Sequence, residues 1–203
     1  MTGTRSITGF SWAIDNQIVD HADAEFLREC HRHEWIYLQT PDGVEYEMHR
    51  ASDLANRERL LQMRSEYAMP AGTFVLNFSH LGSGLLATDS QVVNLHLVHE
   101  IIWARAFELD AECSETNRRA LRRVGDTHIV ATTIYNAIRA LVTTDSRILA
   151  AGQVLSWVYP GFEVLTIERA TELAKDGIWR ARKMAVRDPN NMHYQDLPSW
   201  PAS

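Results

Sequence analysis

Cysteine is scarce in this chain: Cys30 and Cys113 are the two among 203 residues. Two thiols are too few for a disulfide framework or a zinc knuckle. A pair of unrelated buried thiols in a reducing compartment is expected instead. Long apolar runs are also missing, since no stretch approaches the roughly 18–20 residues that span a bilayer. The opening MTGTRSITGF lacks the basic start and apolar core of a secretory signal, so a cytoplasmic location without membrane contact is expected. Basic residues are not in excess. With 26 acidic and 20 basic residues the net charge is −6, which argues against a protein that coats nucleic acid through bulk charge. Lysine is nearly absent, Lys175 and Lys183 standing among otherwise arginine cations; arginine suits bidentate phosphate contacts. No internal repeat or low-complexity tract is present.

What is present is the composition of a globular protein, 45% hydrophobic and 23% charged. The length fits one domain with a real core. A single domain is expected over 1–187, followed by a proline-rich polar tail, extended or disordered, over 188–203. The pattern predicts a first strand within 7–19, ending near Ala13-Ile14, then a helix over 22–32. A short strand is expected at 35–38. Thr40-Pro41-Asp42 then opens a helix, with Thr40 at the N-cap and proline just inside. A helix over 56–67 breaks at Pro70-Ala71-Gly72, and 73–76 reads as another strand. A helix over 89–107 is expected to be capped by Asp89 or Ser90, with an apolar face through Val92, Val93, Leu97, Ile101 and Ile102. One long helix or two abutting ones cover 114–138, opened by Ser114. A strand at 141–144 stops at Asp145, and an edge strand at 164–166 precedes a short helix at 167–174. Strands separated by helices imply an α/β fold: three layers, with a central parallel sheet of four to five strands.

In an open parallel sheet, ligands bind outside the carboxyl ends of the strands. Asp15 ends the first strand and Asp145 ends the strand at 141–144, so the two carboxylates are placed to meet. Glu47 lies on the helix after Thr40-Pro41, and Asp126 on the helix that leads into the strand of Asp145. Gathering carboxylates raises their mutual repulsion. Hard cations such as Mg²⁺ or Mn²⁺, which prefer oxygen ligands, offset it. Such ions suit phosphodiester hydrolysis.

Ala13-Ile14-Asp15-Asn16 resembles the opening strand motif of PIN domains, in which an aspartate follows apolar residues. Val44-Glu45-Tyr46-Glu47-Met48 resembles their second motif, a glutamate on a helix. Glu45 competes with Glu47 for that place. The two would point to different sides of the helix, and Glu47 is preferred because Met48 follows it. Gly125-Asp126-Thr127-His128-Ile129-Val130-Ala131-Thr132-Thr133 and then Leu141-Val142-Thr143-Thr144-Asp145 are similar to the third and fourth motifs. The likeness runs over about 6–173. It implies Asp15, Glu47, Asp126 and Asp145 as Mg²⁺ or Mn²⁺ ligands, Thr144 as an orienting hydroxyl and Asn16 as a supporting group. It further implies a metal-dependent endoribonuclease, often the toxin of a bacterial toxin–antitoxin pair and usually a homodimer. A housekeeping RNA-processing nuclease, or a PIN-fold module that binds RNA or a protein without cutting, are the alternatives.

Other clusters read more plainly. Arg118, Arg119, Arg122 and Arg123 precede Asp126 as a solvated helix face, or Arg122 and Arg123 grip substrate phosphates. His96-Leu97-Val98-His99-Glu100 lacks the spacing of a zinc-protease motif and reads as a helix surface. Cys30-His31-Arg32-His33 reads as a helix end. Gly82-Ser83-Gly84 lacks the third glycine of a dinucleotide fingerprint and reads as a connection.

Overall fold

A computed structural model describes residues 6–49, 53–72, 87–105 and 118–187. Four strands form one all-parallel sheet: β1 (Ser11–Ile14), β2 (Tyr37–Gln39), β3 (Ala140–Val142) and β4 (Glu163–Leu165), in the order β2-β1-β3-β4. Seven α-helices surround it among the described residues: α1 (Glu25–Arg32), α2 (Asp42–His49), α3 (Leu54–Arg64), α4 (Asp89–Trp103), α5 (Arg118–Tyr135), α6 (Ser146–Val158) and α7 (Ile167–Arg187). The expected three-layer α/β/α architecture is therefore present.

The strands are short, and the central ones carry the apolar runs typical of a sheet covered on both faces. Trp12, Ala13 and Ile14 of β1 and all of β3 are buried, in one core with Leu27, Ile36, Leu38, Ile129 and Leu155. The connections β1-α1-β2 and β3-α6-β4 step outward in opposite directions. Right-handed crossovers consequently put α1 and α6 on opposite faces. Helix α7 packs on α1, while α4 packs on both α5 and α6. Among the described residues no helix is long and apolar enough to cross a membrane.

Several local readings shift. Helix α4 is capped by Thr88, not by Asp89 or Ser90. The Thr88 hydroxyl accepts from the Gln91 N–H and the Gln91 side chain accepts from the Thr88 N–H at 2.7 Å, a capping box. The helix ends at Trp103 because Ala104 is left-handed, at φ 51°. Its buried face is Gln91, Leu95, Val98, His99 and Ile102, whereas Val92, Val93 and Leu97 are exposed. Of the expected stripe Ile102 is buried and Ile101 packs against the core, while the other three face out, because α4 carries apolar residues on more than one side.

His99 is likewise no surface group; it is fully buried, with Nδ1 3.0 Å from the Thr127 hydroxyl. Thr40 does not cap α2, since its buried hydroxyl makes no hydrogen bond and the helix begins at Asp42. Helix α6 follows Asp145 directly, a helix for which no expectation was formed. Helix α7 runs to Arg187, far past 174. The 73–76 strand, the Ser114 cap, Cys113, Gly82-Ser83-Gly84 and the 188–203 tail lie outside the described residues.

Cys30 closes α1 as a buried thiol, and burial pushes it up to about 12. The chain leaving β1 is held from α1 by Arg28. Its buried guanidinium donates to the carbonyls of Ile18, Val19 and His21, the last at 2.8 Å, and pairs with Glu25. That anchor fixes the backbone just after Asp15.

Candidate active site

The strand order reverses between β1 and β3, so the crevice beyond their carboxyl ends is the topological switch point of the sheet. Ladder pairing brings Ile14 level with Val142, and the Asp15 N–H donates to the Val142 carbonyl at 3.1 Å. Asp15 therefore leaves the sheet beside Thr143. The Thr143 hydroxyl donates to Asp15 Oδ2 at 2.7 Å and accepts from the Asp145 N–H at 3.0 Å. Asp15 Oδ1 accepts from the Asn16 N–H at 2.5 Å. The hydroxyl bonded to Asp15 is thus Thr143; Thr144, expected to help orient the site, donates to Gln17 at 2.5 Å. Just past the end of β3, Thr143 is fully buried and Thr144 is half-buried.

Asp145 is the N-cap of α6, its Oδ1 accepting from the Arg147 and Ile148 N–H groups at 2.8 and 3.1 Å. One carboxylate oxygen is committed to the helix start. Sequence reading missed this double duty because α6 itself was not foreseen, although Asp145-Ser146 before an apolar run is an ordinary cap signal.

Glu45 and Glu47 separate as their spacing requires. Glu45 pairs with Arg64 at 2.5 Å and lies 3.6 Å from His49. Glu47 turns to the other side, where the neighbouring Asn16 side chain favours its charged form and the charges of Asp15 and Asp126 oppose it. Helix α2 can approach α5 closely. Gly43 sits against His128 and Ile129, and a Cβ at Gly125 would run into the Glu47 carboxylate. Behind this contact Asp42 Oδ1 lies 3.4 Å from Nδ1 of the equally buried His128, and Asp42 Oδ2 accepts from the Gly72 N–H at 3.0 Å. The pair ties the start of α2 to the turn of α5 that bears Asp126.

Burial and mutual repulsion act together on the carboxylates. Glu47 is held well above the ordinary range, first by burial and then by Asp15 and Asp126. Asp126 is pushed up to about 7, again by burial first and then by Asp15 and Asp145. Burial also raises Asp15, opposed by its bonds from Thr143 and Asn16. The Arg122 charge eases all three, and Arg147, whose guanidinium lies 4.7 Å above the Trp103 ring, eases Asp126. Arg122 is exposed beside the cluster and Arg123 is half-buried. The structure thus brings Asp15, Asn16, Glu47, Arg122, Asp126 and Asp145 into one field. Among the described residues no three His, Cys, Asp or Glu groups form a ready-made ion cage. The carboxylates share a potential, and closing on a common ion would take side-chain adjustment.

The donor set still fits a hard cation. Three carboxylates with raised proton affinity, Asp15 and Asp126 buried and Glu47 half-buried, hold excess negative potential that a divalent ion would neutralise. A groove of about 810 Å³, lined by Phe10, Trp12, Ile138, Tyr159, Phe162 and Leu173 among others, opens at the amino ends of the strands, away from these residues. No family model, curated protein or solved structure matches the chain.

Proposed function

We propose that the chain is a PIN-type endoribonuclease that hydrolyses RNA phosphodiester bonds with Mg²⁺ or Mn²⁺. The observation that carries the reading is the gathering of buried Asp15 and Asp126 with half-buried Glu47 at the switch point, each with its proton affinity raised. Buried ionisable groups that repel one another at a crevice are poor for stability and mark functional sites. Asp15, Glu47, Asp126 and Asp145 would hold the ion or ions. When bound, a divalent cation supplies a nucleophile at neutral pH and stabilises charge at the phosphate.

The chain's own residues prepare that site. Thr143 and the Asn16 N–H fix the Asp15 carboxylate, and the neighbouring Asn16 side chain favours the charge of Glu47. Arg122 places a guanidinium where a phosphate of a substrate backbone would pass, with Arg123 beside it on the same helix. Action as the toxin of a toxin–antitoxin pair, an antitoxin partner and a homodimeric state are parts of the same proposal, and rest on family likeness alone.

Incubation of a mixed RNA pool with Mg²⁺ or Mn²⁺ tests it, comparing the native chain with Asp15→Asn and Asp126→Asn. Metal-dependent fragments that vanish in both variants, with folding intact, are the expected result. RNA left whole by the native chain with either metal would replace the nuclease with a module that binds RNA or a protein partner.

A further inference from the structure

Gly125 sits within the 18-residue helix α5, one position before Asp126. Glycine is the least favourable ordinary residue in a helix interior, because it surrenders the most backbone freedom. Backbone geometry does not call for it here. The left-handed glycines among the described residues are Gly9 and Gly161, both outside helices. The buried position is explained by a single neighbour. A Cβ there would meet Glu47 Oε1, then Glu47 Cδ at 3.3 Å and Cγ at 3.5 Å, and its three nearest contacts all belong to that one side chain.

We infer that Gly125 is a positioning residue: its missing side chain lets the Glu47 carboxylate lie against the α5 backbone next to Asp126. Two constraints then hold Glu47 from opposite directions. The Asn16 side chain neighbours the carboxylate from the β1 end and favours its charge, and the bare α5 backbone receives its flank. With alanine in place of glycine the carboxylate must swing off, because it is the flexible partner in the clash. It would leave both Asn16 and the neighbourhood of Asp126. The inference rests on the proposed metal site for its consequence, though not for its geometry.

Gly125→Ala, Glu47→Gln and the double variant distinguish the two. Calorimetric titration with Mn²⁺ should show affinity about tenfold weaker or more in Gly125→Ala, the scale of losing a supporting contact at a metal site. On the Glu47→Gln background the same change should add nothing. In the metal-free protein, the Asn16 side-chain amide resonance should move in Gly125→Ala while the thermal midpoint stays level or rises. Native Mn²⁺ affinity together with an unmoved Asn16 resonance overturns the inference. If the native chain takes up no Mn²⁺, the metal site falls separately, and the Asn16 resonance alone decides the role of Gly125. If Gly125→Ala lowers the midpoint, adding the shorter side chain through Glu47→Asp should restore it; failure to do so also overturns the inference.

Discussion

Removing the charge of Asp126 should stabilise the metal-free protein at alkaline pH. The Asp126 carboxyl rises from its ordinary 3.8 to about 7, chiefly through burial and then through Asp15 and Asp145. At about 1.4 kcal/mol per pH unit, a rise of that size corresponds to about 4 kcal/mol held against the folded state once the group ionises. The sign follows from proton counting. Between about pH 4 and pH 7 the folded chain keeps this proton and the unfolded chain does not. Stability from this group is therefore fully present below the ordinary aspartate range and is lost as pH climbs through about 7. Asp126→Asn has no charge to lose. Allowing for imperfect amide hydrogen bonding, we expect it to exceed the native chain by about 2–3 kcal/mol at pH 8. Near pH 4.5 the two should be level. Urea denaturation at both pH values, with metal chelated, measures the difference. Added Mn²⁺ should then reverse the ranking, stabilising the native chain and not the variant. Equal stability at pH 8, or a gain of the same size at both pH values, would refute the electrostatic account of the cluster.

Two further substitution pairs separate neighbours that sequence alone treats alike. Thr143→Val removes a buried hydroxyl that serves both Asp15 and the Asp145 N–H, and should cost about 2–3 kcal/mol with most of the RNA cleavage. Thr144→Val, which loses a partly exposed bond to Gln17, should cost under about 1 kcal/mol and spare cleavage; the opposite order would return the orienting role to Thr144. On α4, Leu95→Ala should cost about 2–4 kcal/mol and Val93→Ala less than about 0.5, since Leu95 is 4% exposed and Val93 64%. Similar thermal midpoints for the two would contradict the observed orientation of α4.

The layer architecture was legible because short apolar runs alternating with helical periods leave few alternatives to a parallel sheet with helices on both faces. Asp15 was legible for a related reason: an aspartate directly after a buried strand must emerge at the carboxyl end of the sheet. The separation of Glu45 from Glu47 also followed from helix geometry, since residues two apart diverge. Local signals did less well where one signal admits several readings. The apolar residues of α4 wrap around the helix, so periodicity could not say that Val93 faces out while Leu95 and His99 face in. Asp145 reads as a strand end and as a helix cap. The strand stops at Val142 and Asp145 caps the helix, so only the second reading reveals α6.

Contacts between distant segments were closed to any local reading. Thr143 reaches Asp15 across 128 positions, and nothing in Thr143-Thr144 tells which hydroxyl turns inward until the register of β1 against β3 is set. Gly125 reads as a helix-weakening residue until α2 is laid against α5 and the Glu47 carboxylate occupies the space its side chain would fill. Residue type and spacing determined which carboxylates this protein carries and the end of the sheet to which Asp15 and Asp145 belong, because strand direction and alternation are local properties. Their burial, their shared potential and the neighbours that hold them were decided by tertiary packing alone, because solvation and proximity exist only between segments that the fold brings together.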